Sequence, residues 1–144
     1  MLIDYFQTTP VIPDTNFIVA GYHLENNIPS QQIIWLNVRS GEITPVDTTA
    51  QGARWDGETQ TLSKIIQNTY MRNQAGTEIA LGSTEVSWGL FTLQDAIDFA
   101  QYAVDVTIKT MHYSSVVETV GGPIDILVIK PDNAFWIQHK ELHA

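Results

Sequence analysis

Apolar side chains occupy both faces of nearly every strand this chain can form. A sheet with one solvated face alternates polar and apolar residues. In Phe17 to Leu24, however, Phe17 and Val19 point one way while Ile18, Ala20 and Tyr22 point the other. In Gln32 to Arg39, Ile33 and Trp35 oppose Ile34, Leu36 and Val38. Near the C-terminus, Ile124, Ile126 and Val128 oppose Leu127 and Ile129, and Phe135 and Ile137 flank Trp136. Leaving even five such side chains wet forgoes on the order of 10 kcal/mol, at about 1.5–3 kcal/mol each. That rivals the roughly 5–15 kcal/mol by which a whole domain is stable. A fold for this chain therefore needs a covering layer on each side of its sheet.

The order of elements bounds what can supply those layers. Asn26-Asn27-Ile28-Pro29-Ser30 reads as a turn between the first two strands. Ser40-Gly41 signals a tight turn, and Glu42 to Asp47 forms a third strand that Pro45 makes an edge or interrupts. Leu62, Ile65, Ile66 and Tyr70 predict a helix over Glu58 to Asn73, with Asp56 as the acid near its start. Ala75 to Gly89 has no clean period and reads as a loop. The next helix carries a stripe of Leu93, Ala96, Ile97, Ala100, Val104, Thr107, Ile108 and Met111. Thr92 and Asp95 form a capping-box start. Gly121-Gly122-Pro123 breaks the chain, and Ile124 to Lys130 and Ala134 to His139 make a hairpin around Pro131-Asp132-Asn133. The expected class is α+β, an antiparallel sheet with two helices on one face. The second face is then sheltered from outside, or by residues 1–16 or 75–90; the outside layer is the reading adopted.

At 144 residues the chain fits a single domain, 1–144. With 44% hydrophobic and 16% charged residues it is an ordinary globular composition. Its net charge of -9 and scattered Lys and Arg argue against a nucleic-acid partner. No apolar run approaches the roughly 20 residues of a membrane span, so no membrane partner is expected. The 0 cysteines exclude disulfides and thiol catalysis, and a cytoplasmic location is expected.

Three segments together resemble the C-terminal half of a proteasome β-type subunit, a member of the N-terminal-nucleophile hydrolase superfamily. Phe17-Ile18-Val19-Ala20-Gly21-Tyr22, then Ile33-Ile34-Trp35-Leu36 and Ser40-Gly41-Glu42, is similar to the family's central hairpin. Gly52 before an apolar helix resembles the family's glycine turn. Leu90-Phe91-Thr92-Leu93-Gln94-Asp95-Ala96, the helix to Thr110, and Gly121-Gly122-Pro123-Ile124-Asp125-Ile126 resemble its helix-then-"G-G-x-I-D-V" pattern. The likeness runs over residues 15–142 in order. It implies half of an α-β-β-α sandwich, with residues 1–9 as the end of a preceding helix and residues 1–16 as a remnant of that helix and its loop.

That resemblance implies a threonine-type peptidase family whose nucleophile, lysine and aspartate all lie in the first half of the fold. Thr8 and Thr9 are the only threonines near the start, and neither follows a glycine. The family's supporting serine falls at Ala53, and its aspartate and serine near Val117 and Val120. Glu118 or Thr119 could substitute by a slip, and Asp125, a carboxylate in an apolar strand, is the remaining candidate. Its default role is structural pairing with Arg54, a backbone amide or the Gly-Gly turn. The chain alone is expected to be inactive, to need a complementary N-terminal half or to form a homo-oligomer, and to bear on peptide substrates only in such an assembly. A non-catalytic self-assembling module is the alternative. His139 and His143, four apart, raise a metal reading, but in a C-terminal tail solvated histidines are the simpler reading; His23 and His112 are isolated. No cofactor or metal is expected, and no phosphate-loop spacing is present.

Overall fold

Two asparagines set the first element. Asn26 and Asn27 both take positive φ, 53° and 64°, the pairing a two-residue type I′ hairpin turn requires. The computed structural model describes residues 14–67, 70–81 and 85–141. Around that turn, β1 (Asn16–Glu25) pairs antiparallel with β2 (Ile28–Asn37) from Asn16↔Asn37 to Glu25↔Ile28. The turn is thus shorter than the five residues its Asn, Pro and Ser content predicts, and Ile28-Pro29-Ser30 belongs to the strand. β3 (Ile43–Pro45) pairs antiparallel with β2, Ile34 opposite Pro45 and Leu36 opposite Ile43. The β2–β3 connection is held by Asn37, whose Oδ1 accepts from Ser40 N at 2.8 Å, and by Gly41 at φ 68°. That backbone conformation is strained for a side chain with a Cβ.

The register sorts the side chains by face. Phe17, Val19, Ile34, Leu36 and Ile43 share one side of the sheet, and Ile18, Ala20, Tyr22, Ile33 and Trp35 share the other. Both faces are apolar, as the sequence predicts. No side chain in β1, β2 or β3 is buried, and Val19 is 56% and Leu24 70% exposed.

α1 (Gln60–Ile66) is less than half the expected length. The chain turns extended at Gln67, with ψ 164°, and Tyr70, predicted on the helical stripe, lies in a strand. That strand, β4 (Tyr70–Arg72), pairs antiparallel with β5 (Glu78–Ala80), a hairpin inside what reads in the sequence as helix end and loop. Its turn is fixed locally: Asn73 Oδ1 accepts from Thr77 N at 2.9 Å, Gly76 N donates to Asn73 O at 2.9 Å, and Gly76 takes φ 81°. Asn73 and Gly76 are therefore the signal that overrides a spacing of four between Ile66 and Tyr70. Every side chain from Tyr70 to Leu81 is exposed, so this segment has no buried row of the kind a sheet-sealing layer presents.

α2 (Leu93–His112) is the longest element and keeps its predicted start. Thr92 N donates to Asp95 Oδ2 at 2.8 Å while Asp95 N donates to Thr92 Oγ1 at 3.2 Å. Ile97, Thr107 and Met111 are buried, and Leu62 of α1, which packs on α2, is buried with them. The Thr107 hydroxyl is satisfied by Ala103 O at 2.9 Å. Of the predicted stripe, Leu93, Ala96, Ala100 and Val104 are exposed, so the helix is covered mainly along its C-terminal half. Before it, a single 3₁₀ turn at Trp88–Leu90 sets Trp88 edge-on to Phe99 at 4.9 Å, which ties the end of the 75–89 segment to the helix.

β6 (Ile126–Ile129) and β7 (Ala134–Gln138) form a two-stranded sheet of their own, closed by Lys130 N donating to Asn133 O at 2.7 Å. Burial alternates along β6, with Ile126 and Val128 buried and Leu127 and Ile129 exposed. The class is thus mixed α+β, but among the described residues the strands fall into three small sheets, where one antiparallel sheet was expected. The chain divides into two compact units. One holds the chain up to Gln51 with Ile129–Phe135, the other Gly52–Val128 with the chain from Trp136 onward. Residues 1–13, which include the expected helix remnant, Thr8 and Thr9, lie outside the described residues. Among the described residues no helix is long and apolar enough to cross a membrane.

Candidate functional site

The hairpin of β6 and β7 brings the residue before its first strand to the residues after its second. Asp125 Oδ1 accepts from the backbone N–H of Lys140 at 2.7 Å and lies 3.4 Å from His139 Nδ1, while Oδ2 lies 3.4 Å from Lys140 Nζ. The His139 ring stacks on Trp136 at 4.3 Å. The expectation of a carboxylate enclosed in an apolar strand is corrected here. Asp125 lies just outside β6, its side chain 29% exposed. Its pKa is lowered, chiefly by the Lys140 amide and, more weakly, by the Lys140 ammonium and His139. Of the pairings foreseen, the backbone amide is the one found; among the described residues no ion pair joins Asp125 to Arg54.

Glu118 and Thr119 are adjacent in sequence but serve different partners. Glu118 Oε1 meets His112 Nδ1 at 3.1 Å, just past the C-terminus of α2. Thr119 Oγ1 donates to Glu58 Oε1 at 2.9 Å and lies 3.8 Å from Met111 Sδ. A hydroxyl on a carboxylate is half of an activated nucleophile, which also needs a group orienting the base and donors for the developing oxyanion. Glu58 and Thr119 are both exposed, and the pair ties the segment before α1 to the segment after α2. Of the supporting positions, Val117 is exposed, and Ala53 and Val120 are half-buried.

The structure therefore does not bring Asp125, Glu118 and Thr119 into one constellation. Each is held by a separate surface contact, Asp125 by Lys140 and His139, Glu118 by His112, and Thr119 by Glu58. Lys140 and His139 follow from the hairpin itself, since residues flanking its open end must meet. Glu58 stands 61 positions from Thr119 and carries no such signal. Among the described residues no three His, Cys, Asp or Glu side chains are grouped to hold a metal ion; His143 lies outside them. His23 is exposed on β1, opposite Ser30. No protein-family model, curated protein or solved structure matches the chain.

Proposed function

We propose that this chain is a proteasome-subunit-like unit of the threonine-peptidase type that is catalytically incomplete and works by assembly, its sheet sheltered by further polypeptide. The observation that carries this reading is the β1–β2–β3 sheet, apolar on both faces and without one buried side chain. Such a surface is stable in water when another layer removes it from solvent. The dispersed contacts of Asp125, Glu118 and Thr119 support the inactive half of the reading, as do Ala53, Val117 and Val120 where the resembling family places polar groups.

Light scattering on the purified chain tests the assembly. A mass at least twice the 16.1 kDa of one chain is expected, and a soluble monomer at micromolar concentration overturns the reading. Peptide hydrolysis by the purified chain alone, above the buffer blank, would refute its inactivity.

A further inference from the structure

Resting on that assembly reading, we propose that the outer edge of β1 pairs antiparallel with β1 of a second copy, about a two-fold axis at Ala20. The ladder fixes which backbone groups are available. Glu25 and Ile28 flank a two-residue turn, so they form a hydrogen-bonded pair, and such pairs alternate with non-bonded ones along the hairpin. Phe17, Val19, Gly21, His23 and Glu25 thus direct their N–H and C=O toward β2. Asn16, Ile18, Ala20, Tyr22 and Leu24 direct theirs outward. Two hydrogen bonds on the far side of β2 obey the same parity. Ile33, opposite Ala20, accepts from Val46 N at 2.9 Å, and Asn37, opposite Asn16, donates to Glu42 O at 3.0 Å. β1 is the end strand of its sheet, so these outward groups have no ladder partner among the described residues.

An outward row centred on Ala20 is self-complementary in one register. Asn16 meets Leu24 of the second copy, Ile18 meets Tyr22, and Ala20 meets Ala20. Every outward N–H and C=O from 16 to 24 then finds a partner. Each face of the sheet continues into the same face of the copy, because the paired residues have the same parity. Ile18 beside Tyr22 is the β-branched–aromatic pairing that stabilises neighbouring strands.

Charge selects this edge as well. Two chains of net charge -9 repel, yet residues 16–24 contain no Asp, Glu, Lys or Arg. The devices that keep an edge solitary, lysine, proline or an inward charge, are missing from the same stretch. The result is a six-stranded sheet, a wider apolar platform for the sheltering layer.

Site-directed thiols test the register, since the chain has 0 cysteines of its own. Ala20→Cys should cross-link nearly completely to a covalent dimer with a short bis-thiol reagent. Leu24→Cys should not, because its copy lies eight residues along, about 27 Å away at 3.4 Å per residue. Ala20→Pro removes one outward N–H and leaves the β1–β2 ladder intact, so it should halve the mass seen by light scattering. If the unmodified chain is multimeric but Ala20→Cys fails to cross-link, or Leu24→Cys links as well, the edge pairing is wrong and the assembly reading stands. If the unmodified chain is monomeric, both fall.

Discussion

Thr92 and Asp95 hold the start of α2 through three contacts, including the Thr92 hydroxyl donating to Asp95 Oδ2 at 2.6 Å. Thr92→Ala removes the side-chain cap and should lower stability by about 1 kcal/mol, read as a shift in the urea midpoint. The pKa of Asp95 is lowered by the Thr92 hydroxyl and then by the Thr92 backbone amide, and that of Asp125 chiefly by the Lys140 amide. A carboxylate whose folded pKa lies below its unfolded value stabilises the fold above that unfolded value, about 3.9 for Asp. The contribution is lost as pH falls through the lower folded value. Unfolding by urea at a series of pH values should therefore show stability dropping below about pH 4, less steeply in Asp95→Asn and Asp125→Asn. A carboxyl NMR titration in which both groups titrate at or above the ordinary Asp value would contradict this.

At the level of elements, the first hairpin depends on two residues that tolerate positive φ. Asn27→Val places a β-branched side chain at φ 64° and should destabilise by about 1–2 kcal/mol, whereas Asn27→Gly should be neutral. Circular dichroism through a thermal ramp separates the two. Elements with a strong local signal were legible in the sequence: the capping box with its long stripe, the paired apolar strands, the Pro131-Asp132-Asn133 hairpin. What was not legible failed for identifiable reasons. Tyr70 follows Ile66 at a helical spacing, and only the hydrogen bonds of Asn73 and the positive φ of Gly76 turn that stretch into β4. Each of the three sheets pairs only strands consecutive in the chain, and a single joined sheet would need pairings among strands far apart, which alternation along one strand does not encode. The same holds for the candidate site. Asp125 was visible as a carboxylate against an apolar run, and a backbone amide was among its foreseen partners. Its surface position and the separate anchors of Glu118 and Thr119 depend on where each loop lands.

For the whole molecule, two properties pull against each other, a sheet that gains by being covered and a charge of -9 that keeps copies apart. Their balance has a measurable sign. If apolar burial and backbone pairing at the uncharged stretch 16–24 drive association, salt should strengthen it. Raising ionic strength from about 10 mM to about 150 mM shortens the screening length from roughly 30 Å to roughly 8 Å. That weakens repulsion between the two acidic bodies while leaving burial and strand hydrogen bonds in place. The dissociation constant from sedimentation at several sodium chloride concentrations should fall several-fold over that range, and Tyr22→Glu, which puts a negative charge beside Ile18 of the copy, should raise it, most of all at low salt. Association that weakens as salt is added would mean that ion pairs hold the copies together. The apolar, charge-free edge would then not be where they meet.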